Sequence, residues 1–398
     1  MVKALRDWFN ENFTAEKYQL FLSSLNRKYP KAIEFRVAET PLFVDKVFTE
    51  KMLSACESII DVIINPNFDY LVRNAVPEGL NVPGKSDYSH FIAFDFGICE
   101  NEIGELEPQL VEMQGFPSLF AFEVWHDEVF RNTFSIPETY SPYLGGFDKD
   151  SFLNLLKDVI LEGVPAENVV LLELFPDKQK TRIDFYLTNE YLGIKILNLT
   201  DLIIEGKDLF YEKDGNLIPI RRIYNRVVFD ELLQQTEEVL EKGKFFWEQL
   251  DVEWVPHPKW FYQISKYTIP LIKHDYIPDT QFLIDVKELP YDLDDYVLKP
   301  LFSFAGQGVI VDLTLADIEG VKDPENWILQ RKVKYATVVR TPDIPAKAEI
   351  RIFYCWKKGE NRPIPTLNLT RLSKGKMIGV RYNADKDWVG GSIAYFEK

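Results

Sequence analysis

The run NVVLLELF, residues 168 to 175, constrains the fold more than any other stretch of the sequence. It is short, almost wholly apolar, and closed by Pro176. A strand with one wet face alternates polar and apolar residues; this one does not, so it must be covered on both faces. The flanking sequence offers the cover. SFLNLLKDVILEG before it reads as an amphipathic helix ending at Gly163, and RIDFYLTNEYLGIKILNLTDLII after it reads as helix, glycine, strand, loop, strand. LIPIRRIYNRVVFDELL then adds a strand that brings Tyr224, Asn225 and Arg226 to its end. This alternation predicts an open parallel α/β sheet with helices on its faces. Ligands bind beyond the carboxyl ends of such strands, which makes Arg226 a candidate binding residue. A surface arginine would read the same way.

At 398 residues the chain exceeds one ordinary core. Three lobes are expected, over residues 1–135, 136–258 and 259–398. In the first, 4–28 and 45–62 carry apolar residues such as Leu5, Phe9 and Phe13 at near-helical spacing. HFIAFDFGICENEIGELEPQLVEMQG follows as two strands joined by a Gly/Asn/Glu-rich turn. Glu112 and Gln114 stand two apart in the second strand, so they share a face. A carboxylate and an amide therefore aim at one spot, just ahead of a Gly-Phe-Pro-Ser turn ending in Ser118.

Charge narrows the partners. With 62 acids against 46 bases the formal net charge is −16, and no long basic run interrupts it. Such a surface repels nucleic acid and anionic membrane, so neither is expected. Cys56, Cys99 and Cys355 are scattered and odd in number, and the four histidines form no ligand spacing, so neither a disulfide framework nor a transition-metal site is expected. MVKALRDWFNENF is too charged for a secretory leader, and no stretch approaches the ~20 apolar residues of a spanning helix. The reducing cytoplasm is the expected location. The high aromatic content permits a homodimer.

The last third holds the clearest chemical pattern. In YVLKPLFSFAGQGVIVD a strand ends on Lys299-Pro300, a loop rich in small residues follows, and Val309-Ile310-Val311 leads away. Glycines let a backbone close on a phosphate, and a lysine fixed at a strand end supplies a point charge. No Gly-Lys-Ser/Thr opens a helix, so this is not a Walker loop. A hairpin flap over phosphates and an ordinary glycine turn both fit. NWILQRKVKYA, AEIRIFYCW, TLNLTRLSKG and GVRYNADKDWVGGS follow, the last three carrying Arg351, Arg371, Lys374 and Arg381. Cations brought by successive strands can neutralise a polyphosphate or a carboxylate.

Together these pieces resemble the ATP-grasp family. Lys-Pro with a Gly-rich flap, a strand-end segment after it, then Arg-x-x-Lys followed by Asn and Gly-Gly come in the family's order. The family's usual closing pair of acidic metal-ligand strands does not follow; FIAFDFG and LVEMQGFPS near the N-terminus look like that pair displaced. The order is similar to the circularly permuted branch that includes glutathione synthetase and glutathionylspermidine synthetase. The resemblance implies an α/β fold of ATP-grasp type, circularly permuted, with an open parallel-sheet substrate domain. It implies ATP and Mg²⁺ as cofactors and small-molecule carboxylate and amine substrates. Lys266 and Lys299 would hold phosphates under a flap of Ser303, Gly306, Gln307 and Gly308, while Gln330, Arg331, Lys332 and Val333 lie beside the adenine. Asp95, Glu112 and Gln114 would hold the metal, with Asp95 acting through water. Arg371, helped by Arg351 or Lys374, would stabilise the transferred phosphoryl group. Arg226 and Ser118 would face the acceptor. The implied activity is a carboxylate–amine ligase working through an acyl-phosphate; a catalytically silent ATP-binding module and a small-molecule kinase are alternatives. Three positions depart from the branch: Gln114 stands for Asn, Ser303 for a metal-binding Glu, and Ala93 for a substrate-binding Arg. They argue against glutathione as substrate.

Overall fold

The computed structural model describes all residues except 85, 303–306, 376, 377, 379–382 and 384. A five-stranded sheet lies at its centre. Its order is Gly390–Ser392, Ile364–Ser373, Lys347–Cys355, Phe91–Glu100, Leu106–Gln114, with every neighbouring pair antiparallel. The hairpin from the first third of the chain is thus paired directly to a strand from the last. One face presents Ile92, Phe94, Phe96, Ile350 and Ile352, all fully buried, to the helix Lys46–Ile63. The alternate residues form the other face, which changes character along its length. At one end Phe91, Ala93, Phe353 and Leu367 pack toward the middle of the chain; two residues on, the same face carries Asp95, Arg351, Glu349 and Arg371.

The parallel sheet is present, in the order Glu253–Val255, Arg222–Asn225, Val169–Glu173, Lys195–Asn198. Val169–Glu173 is buried throughout, as its composition demands. Helices Lys149–Leu161 and Arg182–Leu192 cover one face through Phe152, Leu156 and Phe185. The second face differs from expectation. Leu209, Tyr211, Phe245 and Phe246 cover it, coming from a small antiparallel sheet and an aromatic cluster instead of a helix. The segment LIPIRRIYNRVV accordingly splits. Asn216–Ile220 joins the small sheet and Arg222–Asn225 the parallel one, with the Arg221 N–H and carbonyl bonded to Asn168 and Glu253 between them.

The expected helix over 4–28 also divides, into Lys3–Asn12 and Ala15–Asn26. Phe13 turns extended, and Thr14 caps the second helix by accepting from the Lys17 N–H at 3.2 Å. Ala394–Glu397 runs parallel to Leu42–Val44, tying the end of the chain to its first strand. A further antiparallel sheet of Thr280–Phe282, Trp327–Arg331 and Tyr296–Pro300 carries Lys299. The return strand expected at 309–311 reduces to a single exchange between Leu298 and Ile310. Among the described residues no helix is long and apolar enough to cross a membrane.

Candidate functional site

A cavity of about 250 Å³ separates the polar end of the central sheet from the sheet bearing Lys299. Lys299 sits one residue before the end of its strand. Its Nζ donates to Gln330 Oε1 at 2.6 Å and to the Val111 carbonyl at 3.1 Å. That carbonyl is available because the acid strand bulges: Asp95 faces Glu112 and Phe96 faces Leu110, leaving Val111 without a partner in the ladder. Gln330 is itself anchored, donating to Thr280 Oγ1 at 3.0 Å. Burial pushes Lys299 down to about 8, against the pull of Glu112 and with the help of nearby Lys266.

The Glu112 carboxylate lies 3.9 Å from Lys266 Nζ. Lys266 is not on a helix; it sits in the turn after the short helix Lys259–Gln263, and burial lowers its pKa while Glu112 opposes the shift. Gly115 fixes this pairing. Its N–H donates to the Ile264 carbonyl at 2.8 Å, and a Cβ there would stand 2.5 Å from the Trp260 carbonyl. The acid strand and the lysine turn therefore meet through a contact that leaves no room for a side chain.

Behind the cavity lies a compact ionic network. Asp95 is fully buried and accepts from Arg351 Nε at 2.6 Å, Arg351 Nη2 at 2.7 Å and Arg371 Nη2 at 2.6 Å. Burial alone would raise its pKa; the two guanidiniums outweigh that and hold it below the usual carboxylate range. Arg371 also reaches Glu349 at 2.8 Å, and Glu349 accepts from the Tyr335 hydroxyl. Burial raises Glu349, with Arg371 pulling the other way. With its amide oxygen toward the guanidinium, Gln114 accepts from Arg351 Nη2 at 2.6 Å.

The remaining expected residues are less uniform. Arg331, Lys332 and Val333 line the cavity. The Arg331 and Lys332 N–H groups are already bonded to the Asp279 and Asp295 carbonyls, so Val333 is the one of the three with an uncommitted N–H among the described residues. The Arg331 side chain points to Asp292 and Asp295. Lys374 does not line the cavity; its ammonium pairs with Asp343 and its N–H donates to Asn383 Oδ1 at 2.9 Å. Gln307 and Gly308 are exposed, Gly308 at φ +72°, and Ser303 and Gly306 lie outside the described residues. Arg226 is buried: it donates to the Pro117 carbonyl at 2.7 Å and lies 4.6 Å from the Phe116 ring centroid, clamping the turn before half-buried Ser118. Tyr335, Lys347 and Glu349 also line the cavity and were not singled out as site residues from sequence. Glu349 had a signal, since it alternates with Arg351 in AEIRIF; Tyr335 had none.

A resident metal can be tested against these donors. Among the described residues no three His, Cys, Asp or Glu cluster around one point. Both Asp95 oxygens and the Gln114 oxygen are bonded to arginine, and Glu349 is taken by Arg371 and Tyr335. Glu112 keeps a carboxylate at the cavity wall. Magnesium bound to a polyphosphate needs one or two protein carboxylates, so Glu112 fits that role, whereas Asp95 and Gln114 as they stand do not.

No protein-family model and no curated protein matches the sequence. Among solved structures, a glutathione synthetase-like effector from Globodera pallida, in apo form, superposes with a TM-score of 0.59 at 10% identity, over 96% of each chain. The chain has a glutathione-synthetase-like fold. A proposed gamma-glutamylcysteine synthetase from Methylobacillus flagellatus KT aligns over 85% of each chain at 12% identity, with a TM-score of 0.39. The first similarity is one of backbone architecture alone.

Proposed function

We propose that this protein is an ATP- and Mg²⁺-dependent ligase joining a carboxylate to an amine on an amino-acid or peptide-like substrate, built on a circularly permuted ATP-grasp core. One observation carries the reading: in a chain of net charge −16, six cationic residues and two acids line this cavity, with Glu112 reaching it from the first third of the sequence and Lys299 from the last. Such an imbalance selects a polyanion.

Lys299 and Lys266 would hold the phosphates of the nucleotide, and Val333 would offer its N–H to the adenine edge. Glu112 would hold magnesium, which when bound neutralises phosphate oxygens and draws charge from the transferred group. The substrate carboxylate oxygen attacks the γ-phosphorus, ADP leaves, and an acyl-phosphate results. The amine nitrogen then attacks the acyl carbon; the C–O bond to phosphate breaks and the nitrogen loses a proton. Arg371, held by two carboxylates, would stand against the charge that builds on the phosphoryl oxygens. Work of this kind is alignment and charge stabilisation.

The test is a thermal-shift and turnover series. Mg·ATP raises the melting temperature of the parent protein, Lys299→Ala abolishes the rise, and Glu112→Ala keeps a weak rise that no longer depends on Mg²⁺. Equal shifts in all three proteins would remove the site assignment. ADP release stimulated by a pool of amino acids, peptides or polyamines supports the ligase. A second reading, an ATP-binding module that works through a protein partner without turnover, draws support from the bonding of Asp95 and Gln114 to Arg351. It predicts nucleotide binding with no ADP release in any pool, and a small-molecule kinase would leave a stable phosphorylated product.

A further inference from the structure

Glu112, Gln114 and Asp95 crowd one corner of the sheet, and three oxygen donors there would normally be the makings of a cation site. The corner already contains a cation. The Arg351 guanidinium makes two parallel bonds to Asp95, at 2.6 and 2.7 Å, and with its Nη2 reaches the Gln114 oxygen at 2.6 Å. It therefore bridges the two donors that flank Glu112. Nor can it leave cheaply. Asp95 is fully buried and a second guanidinium, from Arg371, shares the same carboxylate at 2.6 Å. Asp95, Glu349, Arg351 and Arg371 make a neutral quartet; a divalent ion inserted at Asp95 would sit against two guanidiniums with no free carboxylate oxygen to bind. Arginine suits this place, because its planar fork matches a carboxylate and it does not lose its proton.

We propose that Arg351 is a built-in substitute for one metal ion. On this proposal, which rests on the nucleotide reading above, the site takes a single divalent cation, at Glu112, and the place between Asp95 and Gln114 is closed to metal by the guanidinium. Removing the guanidinium while keeping a side chain of similar reach frees Asp95 Oδ1 and the Gln114 amide oxygen, leaves Arg371 on Asp95 Oδ2, and so creates a second divalent site.

The experiment counts manganese. Purified protein is titrated with Mn²⁺ in the presence of saturating AMP-PNP, free Mn²⁺ is followed by electron paramagnetic resonance, and binding of the analogue is measured separately by calorimetry. The parent chain is expected to bind one ion per molecule and Arg351→Met two, with Glu112→Gln weakening the first ion at least tenfold. Two ions in the parent chain would overturn the proposal while leaving the nucleotide reading intact, and so would one ion in both chains. If Arg351→Met does not fold, the parent count still decides, backed by the position of manganese from anomalous scattering: beside residue 112 supports the proposal, between residues 95 and 114 overturns it. Failure of the parent protein to bind AMP-PNP overturns the nucleotide reading and this proposal with it.

Discussion

At the scale of single residues, the most informative group is Lys299. A lysine in water titrates near 10.5, and burial brings this one down to about 8. The two consequences have opposite signs. In the free protein, between about pH 8 and 10.5 the unfolded chain holds a proton that the folded chain has released, so this group makes the fold more stable as pH rises through that window. Binding of a polyphosphate requires the ammonium, so affinity is full below pH 8 and declines above it. Calorimetric titration with ATP from pH 7 to pH 9.5 is expected to give that decline in the parent protein and a weak, flat profile in Lys299→Met. A flat parent profile would mean that another group holds the phosphates. Sequence made Lys299, Lys266 and Glu112 legible through residue type and order. It could not reveal that the Val111 carbonyl holds the ammonium, because a bulge exposes that oxygen and no side chain signals a bulge.

At the scale of elements, Gly115 joins two segments that are 150 residues apart in the chain, the acid strand and the turn that carries Lys266. A methyl group at residue 115 would press on the Trp260 carbonyl and Ile264 Cβ, both backbone-anchored neighbours. Gly115→Ala is therefore expected to cost about 1–3 kcal/mol and to weaken nucleotide binding, since any relief separates Glu112 from Lys266. Urea denaturation measures the first effect; an unchanged midpoint would show that the two elements are not rigidly coupled. The parallel sheet was readable because a strand buried on both faces advertises itself in NVVLLELF. What covers its second face was not, because a helix and a small antiparallel sheet present equally apolar side chains. The supposed single helix over 4–28 failed for a local reason: a cap at Thr14 is visible in sequence only if the break at Phe13 is already suspected.

At the scale of the whole molecule, the central sheet draws its strands from both the first 135 residues and the last 140. Phe91–Glu100 has Lys347–Cys355 as its neighbour, and Leu42–Val44 has Ala394–Glu397. A fragment ending at residue 135 keeps the hairpin but loses the strand beside it and the far half of the core. Expressed alone it is expected to give no cooperative thermal transition by circular dichroism, and adding residues 259–398 in trans is not expected to restore one without the parallel sheet between them. A cooperative transition in the short fragment would show the sheet to be divisible. The pairing of remote segments was legible only through the order of motifs; nothing in the local pattern of FIAFDFG names its partner strand.

Protein synthesis imposes a delay on that arrangement. The ribbon Phe91–Glu100 has nine consecutive residues destined for burial; Leu106–Gln114 covers one edge at once, but its second neighbour begins at Lys347. At roughly 5–20 residues per second, translation leaves it waiting on the order of 10–50 s. For that interval a nascent chain displays a sticky, open edge to every other chain emerging nearby. The expected consequence is a soluble yield that falls when chaperones are depleted, even at an unchanged melting temperature of the finished molecule.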